Sequence, residues 1–136
     1  MTSTLSGDTV VIVCIALLGI LLFLLGANVT RHRALRGGGN QAPTDPADPL
    51  LIAVRAHGNA AEYIPTMIVL LLVCSTLSDS WLVGALAVAA LVVRTLHALG
   101  MLTSKSLASH GPLRDIGALG TYAVGIAIGV TAIATI

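Results

Sequence analysis

From Thr9 to Thr30 the chain reads TVVIVCIALLGILLFLLGANVT, a run without one charged side chain. A helix crossing the hydrocarbon of a bilayer needs about 20 mostly apolar residues, and this run meets that length. No basic residue precedes it, its apolar part is long for a secretory leader, and Asn28-Val29-Thr30 is a poor small-residue cleavage site. The run is expected to be a permanent span. Composition agrees: 56% of the 136 residues are hydrophobic and 10% are charged, and the mean hydropathy is +0.96. Soluble domains carry about 25% charged residues, so this chain has too little polar surface for a water-soluble enzyme or a disordered chain. Its net charge of +1, with no basic run beyond Arg31–Arg36, excludes a surface that tracks a phosphate backbone. The length is that of one domain.

Beyond the run lies RHRALRGGGNQAPTDPADP, residues 31–49, with three consecutive glycines and then Pro43, Pro46 and Pro49. It has neither helical nor strand period, and a flexible connection is expected. Asp48 suits an N-cap and Pro49 a first turn, which predicts a second helix from Pro49 to about Leu77. Ser78-Asp79-Ser80 reads as a tight turn. Trp81 is an interfacial aromatic at the head of a third span that reaches about Leu102. TSKSLASHG connects it to a fourth helix opened by Pro112. The expected fold is all-α and membrane-embedded: a four-helix bundle of one domain over 1–136, with spans at about 9–30, 49–77, 81–102 and 112–135.

The seven basic residues, Arg31, Arg33, Arg36, Arg55, Arg94, Lys105 and Arg114, lie in or lean toward the first and third connections. The other end holds only Asp8 and Asp79. The positive-inside rule therefore predicts both termini outside and both long loops in the cytoplasm.

Charge within a span is costly and usually marks a site facing the bundle interior. At about 100° per residue, Arg55, Asn59 and Glu62 fall within about 60° of one another on the second helix. Arg94, His97 and Met101 share a face of the third helix by the same arithmetic, and Arg114 stands beside Asp115 at the head of the fourth. One reading makes Arg55–Glu62 and Arg94–Asp115 structural ion pairs. The other is a cationic pocket with one carboxylate and one amide, suited to a small, multiply charged anion bearing an amine. Arginines would fork onto carboxylates, Glu62 would take an ammonium and Asn59 an amide. A tripeptide thiol combines these groups.

The remaining features read as structural. Gly117, Thr121, Gly125 and Gly129 recur every four residues as a packing ridge. Cys14 and Cys74 read as small packed hydrophobes, and His57 as a helix contact off the polar face. The scattered histidines suggest no metal site.

RAHGNAAEYIP, Arg55 to Pro65, resembles the second-helix signature of the MAPEG family, membrane-associated proteins in eicosanoid and glutathione metabolism. Arg94 and His97 on the third helix and Arg114 on the fourth are similar to the family pattern. The Asp-Pro-Leu-Leu at Asp48–Leu51 is similar to its short bacterial branch. The resemblance implies a homotrimer in a bacterial cytoplasmic membrane, with glutathione or another low-molecular-weight thiol held in a cytoplasm-facing cleft between subunits. It implies Arg31, Arg55, Asn59, Glu62, Tyr63, Arg94 and His97 as thiol-ligand contacts, and Arg114 as the catalytic residue that stabilises the thiolate. The chain departs from the eukaryotic enzymes in having Met101 where they have a tyrosine, and in a longer connection before Arg114. Two functions stay open: a glutathione-type transferase or peroxidase acting on lipophilic electrophiles, and a non-catalytic ligand-binding or accessory subunit of the same fold.

Overall fold

A computed structural model of the chain describes residues 7–78 and 81–136, without the side chains of residues 7 and 8. The Asp8 charge and the Asp79–Ser80 half of the expected turn lie outside the described residues. Four helices follow in order: α1 (Gly7–Ala34), α2 (Pro49–Leu77), α3 (Trp81–Leu102) and α4 (Pro112–Ala134). Each is long and apolar enough to cross a membrane, and no strand occurs among the described residues. The protein is an all-α, four-span membrane protein.

Length and capping explain the boundaries. α1 continues one turn past the expected Thr30, because the chain meets no helix breaker before its glycine run. Arg31, His32 and Arg33 occupy its last turn, where positive charge interacts favourably with the helix dipole. At the head of α2 the Asp48 carboxylate accepts from the Leu50 N–H, and Pro49 takes the first turn, where its missing N–H costs nothing. α4 opens with Pro112 after Gly111, which has no side-chain cap.

α2 and α3 lie at the centre and each touches every other helix, while α1 and α4 do not meet. Leu18, Leu25, Ile64, Leu71 and Ile128 fill the core, with Ala60, Ala87 and Ala90 fully buried among them. Such small residues let membrane helices approach closely. The closest approach is between α3 and α4. A Cβ on Gly117 would stand 2.5 Å from the His97 backbone nitrogen, and one on Gly100 would collide with the Arg114 backbone. The expected ridge thus packs within the bundle at Gly117 and Thr121, whereas a Cβ on Gly129 would meet nothing within 4 Å. Large apolar side chains cover the outer surface: Phe23 is 80% exposed, Trp81 82% and Ile133 75%. Such a surface belongs in lipid.

The α1–α2 connection is not the loose link its composition suggests. Arg36 forks onto Asp48 with two hydrogen bonds of 2.8 Å. Gln41 Nε2 donates to the Arg36 and Gly38 carbonyls at 2.9 Å. Gly37, Gly38 and Gly39 supply left-handed backbone (φ of 89°, 81° and 81°), which residues with a Cβ rarely adopt. The Arg36 guanidinium holds the Asp48 carboxyl below its ordinary range, helped by the backbone N–H groups of the α2 cap. The Leu107 N–H donates to the Pro46 carbonyl at 2.8 Å, fastening the α3–α4 connection to the α1–α2 connection.

Candidate functional site

The polar centre of the bundle is Arg94. Its residue is 1% exposed, in the middle of α3. Nη2 donates to Asn59 Oδ1 of α2 at 2.8 Å, and Nη1 donates to Thr121 Oγ1 of α4 at 3.1 Å. The Thr121 hydroxyl in turn donates to the Gly117 carbonyl at 2.7 Å. The guanidinium carbon lies 5.5 Å from the centre of the Tyr63 ring, close enough for a cation–π attraction. Tyr63 meets Tyr122 of α4 edge-on, with ring centres 5.8 Å apart. Nε is buried without a hydrogen-bond partner.

Every group holding this cation is neutral. The Arg94–Asp115 ion pair does not form, and neither does Arg55–Glu62. Among the described residues the carboxylate near the Arg114 guanidinium is that of its neighbour Asp115, which His110 also approaches at 3.5 Å. An arginine at the centre of a span costs about 3 kcal/mol to insert. Two hydrogen bonds to neutral acceptors and one aromatic face offset part of that cost without removing the charge. The arrangement is an anion-attracting centre built from α2, α3 and α4.

The sequence-derived residues divide into three groups around it. Asn59, Tyr63 and Arg94 are in direct contact. Glu62 is exposed and lies beside them, on a groove of about 460 Å³ between α2 and α4. Glu62, Tyr63, Thr121 and Tyr122 form its polar end, and Met67 and Ile126 lie in its apolar part. Arg55 is exposed two turns before Glu62, nearer the first connection, and Arg31 is exposed at the end of α1. Neither makes an ion pair among the described residues.

His97 and Arg114 form a second unit. His97 Nδ1 lies 3.0 Å from the Arg114 carbonyl. A carbonyl only accepts, so Nδ1 carries the hydrogen, and Nε2 is left buried without a partner. This bond and the glycine contacts fix the first turns of α4 against α3. The Arg114 side chain turns to the α3–α4 connection, where Nη1 donates to the Leu107 carbonyl at 3.3 Å. It lines a recess of about 310 Å³ that shares no lining residue with the α2–α4 groove. Seven residues separate Arg114 from Thr121, about 10 Å along a helix. Within a single chain Arg114 therefore stands about two turns along α4 from Thr121, the α4 partner of Arg94.

Sequence reasoning missed Thr121 and Tyr122. Thr121 reads as one more small residue in a stripe of glycines. Its partnership with Arg94 spans 27 positions and leaves no local period. His57 packs toward Gly26 of α1, where a Cβ would come within 3.3 Å of its Nε2. Cys14 and Cys74 are buried free thiols, and Cys74 Sγ lies 3.6 Å from the Ile128 carbonyl. No cluster of metal-ligating side chains occurs among the described residues.

Four apolar spans enclosing a buried arginine held by an amide, a hydroxyl and an aromatic face define an α-helical membrane protein with an internal polar site. The chain belongs to the MAPEG family, whose profile matches residues 11–134. No curated protein and no solved structure matches it.

Proposed function

We propose that the protein is a thiol-dependent membrane transferase or peroxidase of the glutathione type, acting on lipophilic electrophiles. Membership of the MAPEG family supports the class. The observation that carries the reading is the buried Arg94 guanidinium, whose three direct partners are all neutral, with the Glu62 carboxylate nearby but making no ion pair with it.

The donor set fits a tripeptide thiol. Arg94, Arg55 and Arg31 supply guanidinium groups for its two carboxylates, and Glu62 supplies an acceptor for its ammonium. Asn59 uses its carbonyl oxygen on Arg94, so its amide N–H groups remain free to bind a peptide carbonyl. Tyr63 and Tyr122 add phenol hydroxyls at the edge of the same groove. Bound there, a thiol supplies the sulfur nucleophile. Arg114 lines a separate recess of its own chain, so the Arg114 that acts on this sulfur as a fixed positive charge belongs to a neighbouring copy; arginine stays protonated and nearby positive charge favours a thiolate. Met67, Leu70 and Ile126 give a lipophilic partner an apolar approach from the bilayer to the polar end of the groove.

Exposed Arg55 and Glu62 on a membrane helix call for a cover other than lipid. A homotrimer, with the ligand between neighbouring copies, supplies one. The basic ends of the helices support an orientation with the two long connections in the cytoplasm, in a bacterial cytoplasmic membrane.

The experiment is thiol transfer to a lipophilic aryl halide by purified protein, with Arg114→Ala alongside. The reading expects the variant to lose most of its rate while keeping its fold. An unchanged rate removes Arg114 from the chemistry. A non-catalytic, ligand-binding role has one observation in its favour: Met101, buried at 7% exposure, presents a thioether to the core and has no donor to offer a ligand.

A further inference from the structure

A further recess lies where α1 and α3 end and α2 begins. Its volume is about 510 Å³. Lys105 of the α3–α4 connection supplies its positive charge, and His32 of the last turn of α1 adds an imidazole. Asn28 and Ser104 add polar groups, and Ile52 and Leu102 form an apolar side. It shares no residue with the α2–α4 groove, and shares Ser104 and Lys105 with the recess that Arg114 lines. The contact from the Leu107 N–H to the Pro46 carbonyl joins the two connections beside it, and the Arg36–Asp48 clamp fixes the chain leading into Pro49 at its edge.

No carboxylate lines the recess, and the described carboxylates are engaged elsewhere. Asp48 holds Arg36, Asp115 lies against Arg114 and His110, Asp45 accepts from the Ala47 N–H, and Glu62 borders the α2–α4 groove. Lys105 is left without a counter-ion. The recess also has a defined depth: His32 ends one apolar span, Pro49 begins another and Leu102 ends a third. That is the boundary between hydrocarbon and head groups, where basic pockets between spans hold anionic lipid head groups.

We propose that this corner is a binding site for the phosphate of an anionic phospholipid, with Lys105 and His32 contacting the phosphate and Ile52 and Leu102 contacting the start of an acyl chain. The site is separate from the α2–α4 groove that holds the thiol, and its occupancy does not depend on thiol chemistry.

Native mass spectrometry of the full chain released from detergent tests it, using palmitoyl-oleoyl phosphatidylglycerol and the zwitterionic phosphatidylcholine with the same chains. The proposal expects phosphatidylglycerol to be retained preferentially. A basic residue near a membrane surface contributes enough that Lys105→Gln should weaken that retention about fivefold, and Lys105→Glu should weaken it further. Arg33→Gln removes the same charge from the last turn of α1 but lines the α1–α2 groove instead, and it should change retention less than twofold. Equal retention of the two lipids, or equal losses in Lys105→Gln and Arg33→Gln, would overturn the proposal. So would displacement of phosphatidylglycerol by glycerol phosphate at equal concentration, because the ligand would then be a soluble phosphate and not a lipid.

Discussion

Adding one methyl group at Gly117 tests the α3–α4 contact on which the polar site is built. An alanine Cβ there would stand 2.5 Å from the His97 nitrogen, 2.6 Å from its Cα and 2.7 Å from its Cβ. Carbon contacts are favourable at about 3.5–4.0 Å, so the two helices must part locally by about 1 Å. Overpacking of this kind costs about 1–3 kcal/mol, and the same displacement strains the 3.0 Å bond between His97 and the Arg114 carbonyl. Loss of that bond would add about 1 kcal/mol, while the better helix propensity of alanine returns about the same. The net expectation is a loss of about 1–3 kcal/mol. Unfolding in detergent, followed by circular dichroism, measures it, with Gly129→Ala as the comparison because a Cβ there meets nothing within 4 Å. Gly117→Ala should be clearly less stable than the parent and Gly129→Ala no less stable. A Gly117→Ala protein as stable as its parent would refute the close backbone contact.

Asn59→Asp places a carboxylate where an amide oxygen lies 2.8 Å from Arg94 Nη2. The internal counter-ion should raise the melting temperature and lower thiol affinity by about tenfold or more, about 1.4 kcal/mol; calorimetry that finds affinity unchanged would show that the ligand does not use the Arg94 charge. The Arg36–Asp48 clamp has a definite pH sign. A carboxyl whose pKa is lowered on folding contributes stability above its unfolded value, and that contribution is lost as pH falls through the lowered one. The clamp should therefore hold at neutral pH and release only below the ordinary carboxylate range. Limited proteolysis of residues 35–47 should report faster cutting in acid, and also at pH 7 in Asp48→Asn, which keeps a good N-cap but loses the ion pair.

The fold was legible because the bilayer imposes length and apolarity on every span. The uncharged run from Thr9 to Thr30, the Asp48-Pro49 start of α2 and the Pro112 start of α4 each announce a helix locally. Within the site, helical spacing placed Arg94, His97 and Met101 on one face, and all three are buried. Partners on other helices have no such local signal. Arg94 bonds to Asn59 and Thr121, which lie 35 and 27 positions away, so spacing on single helices left open ion pairs that do not form. The glycine-rich connection misled for the same reason. Its composition favours flexibility, but the contact that orders it joins residues 12 positions apart. Depth is a further property that spacing on separate helices leaves undetermined, and it separates Arg114 from Arg94.

The central claim is that the Arg94 centre and its neighbours bind a small thiol-bearing anion. Calorimetric titration of the detergent-solubilised protein with glutathione and with other low-molecular-weight thiols, repeated on Glu62→Ala, addresses it most directly. The account predicts saturable binding of at least one thiol, weakened about tenfold or more, about 1.4 kcal/mol, when the Glu62 carboxylate is removed. Absence of binding by every thiol, or binding indifferent to Glu62, would contradict it.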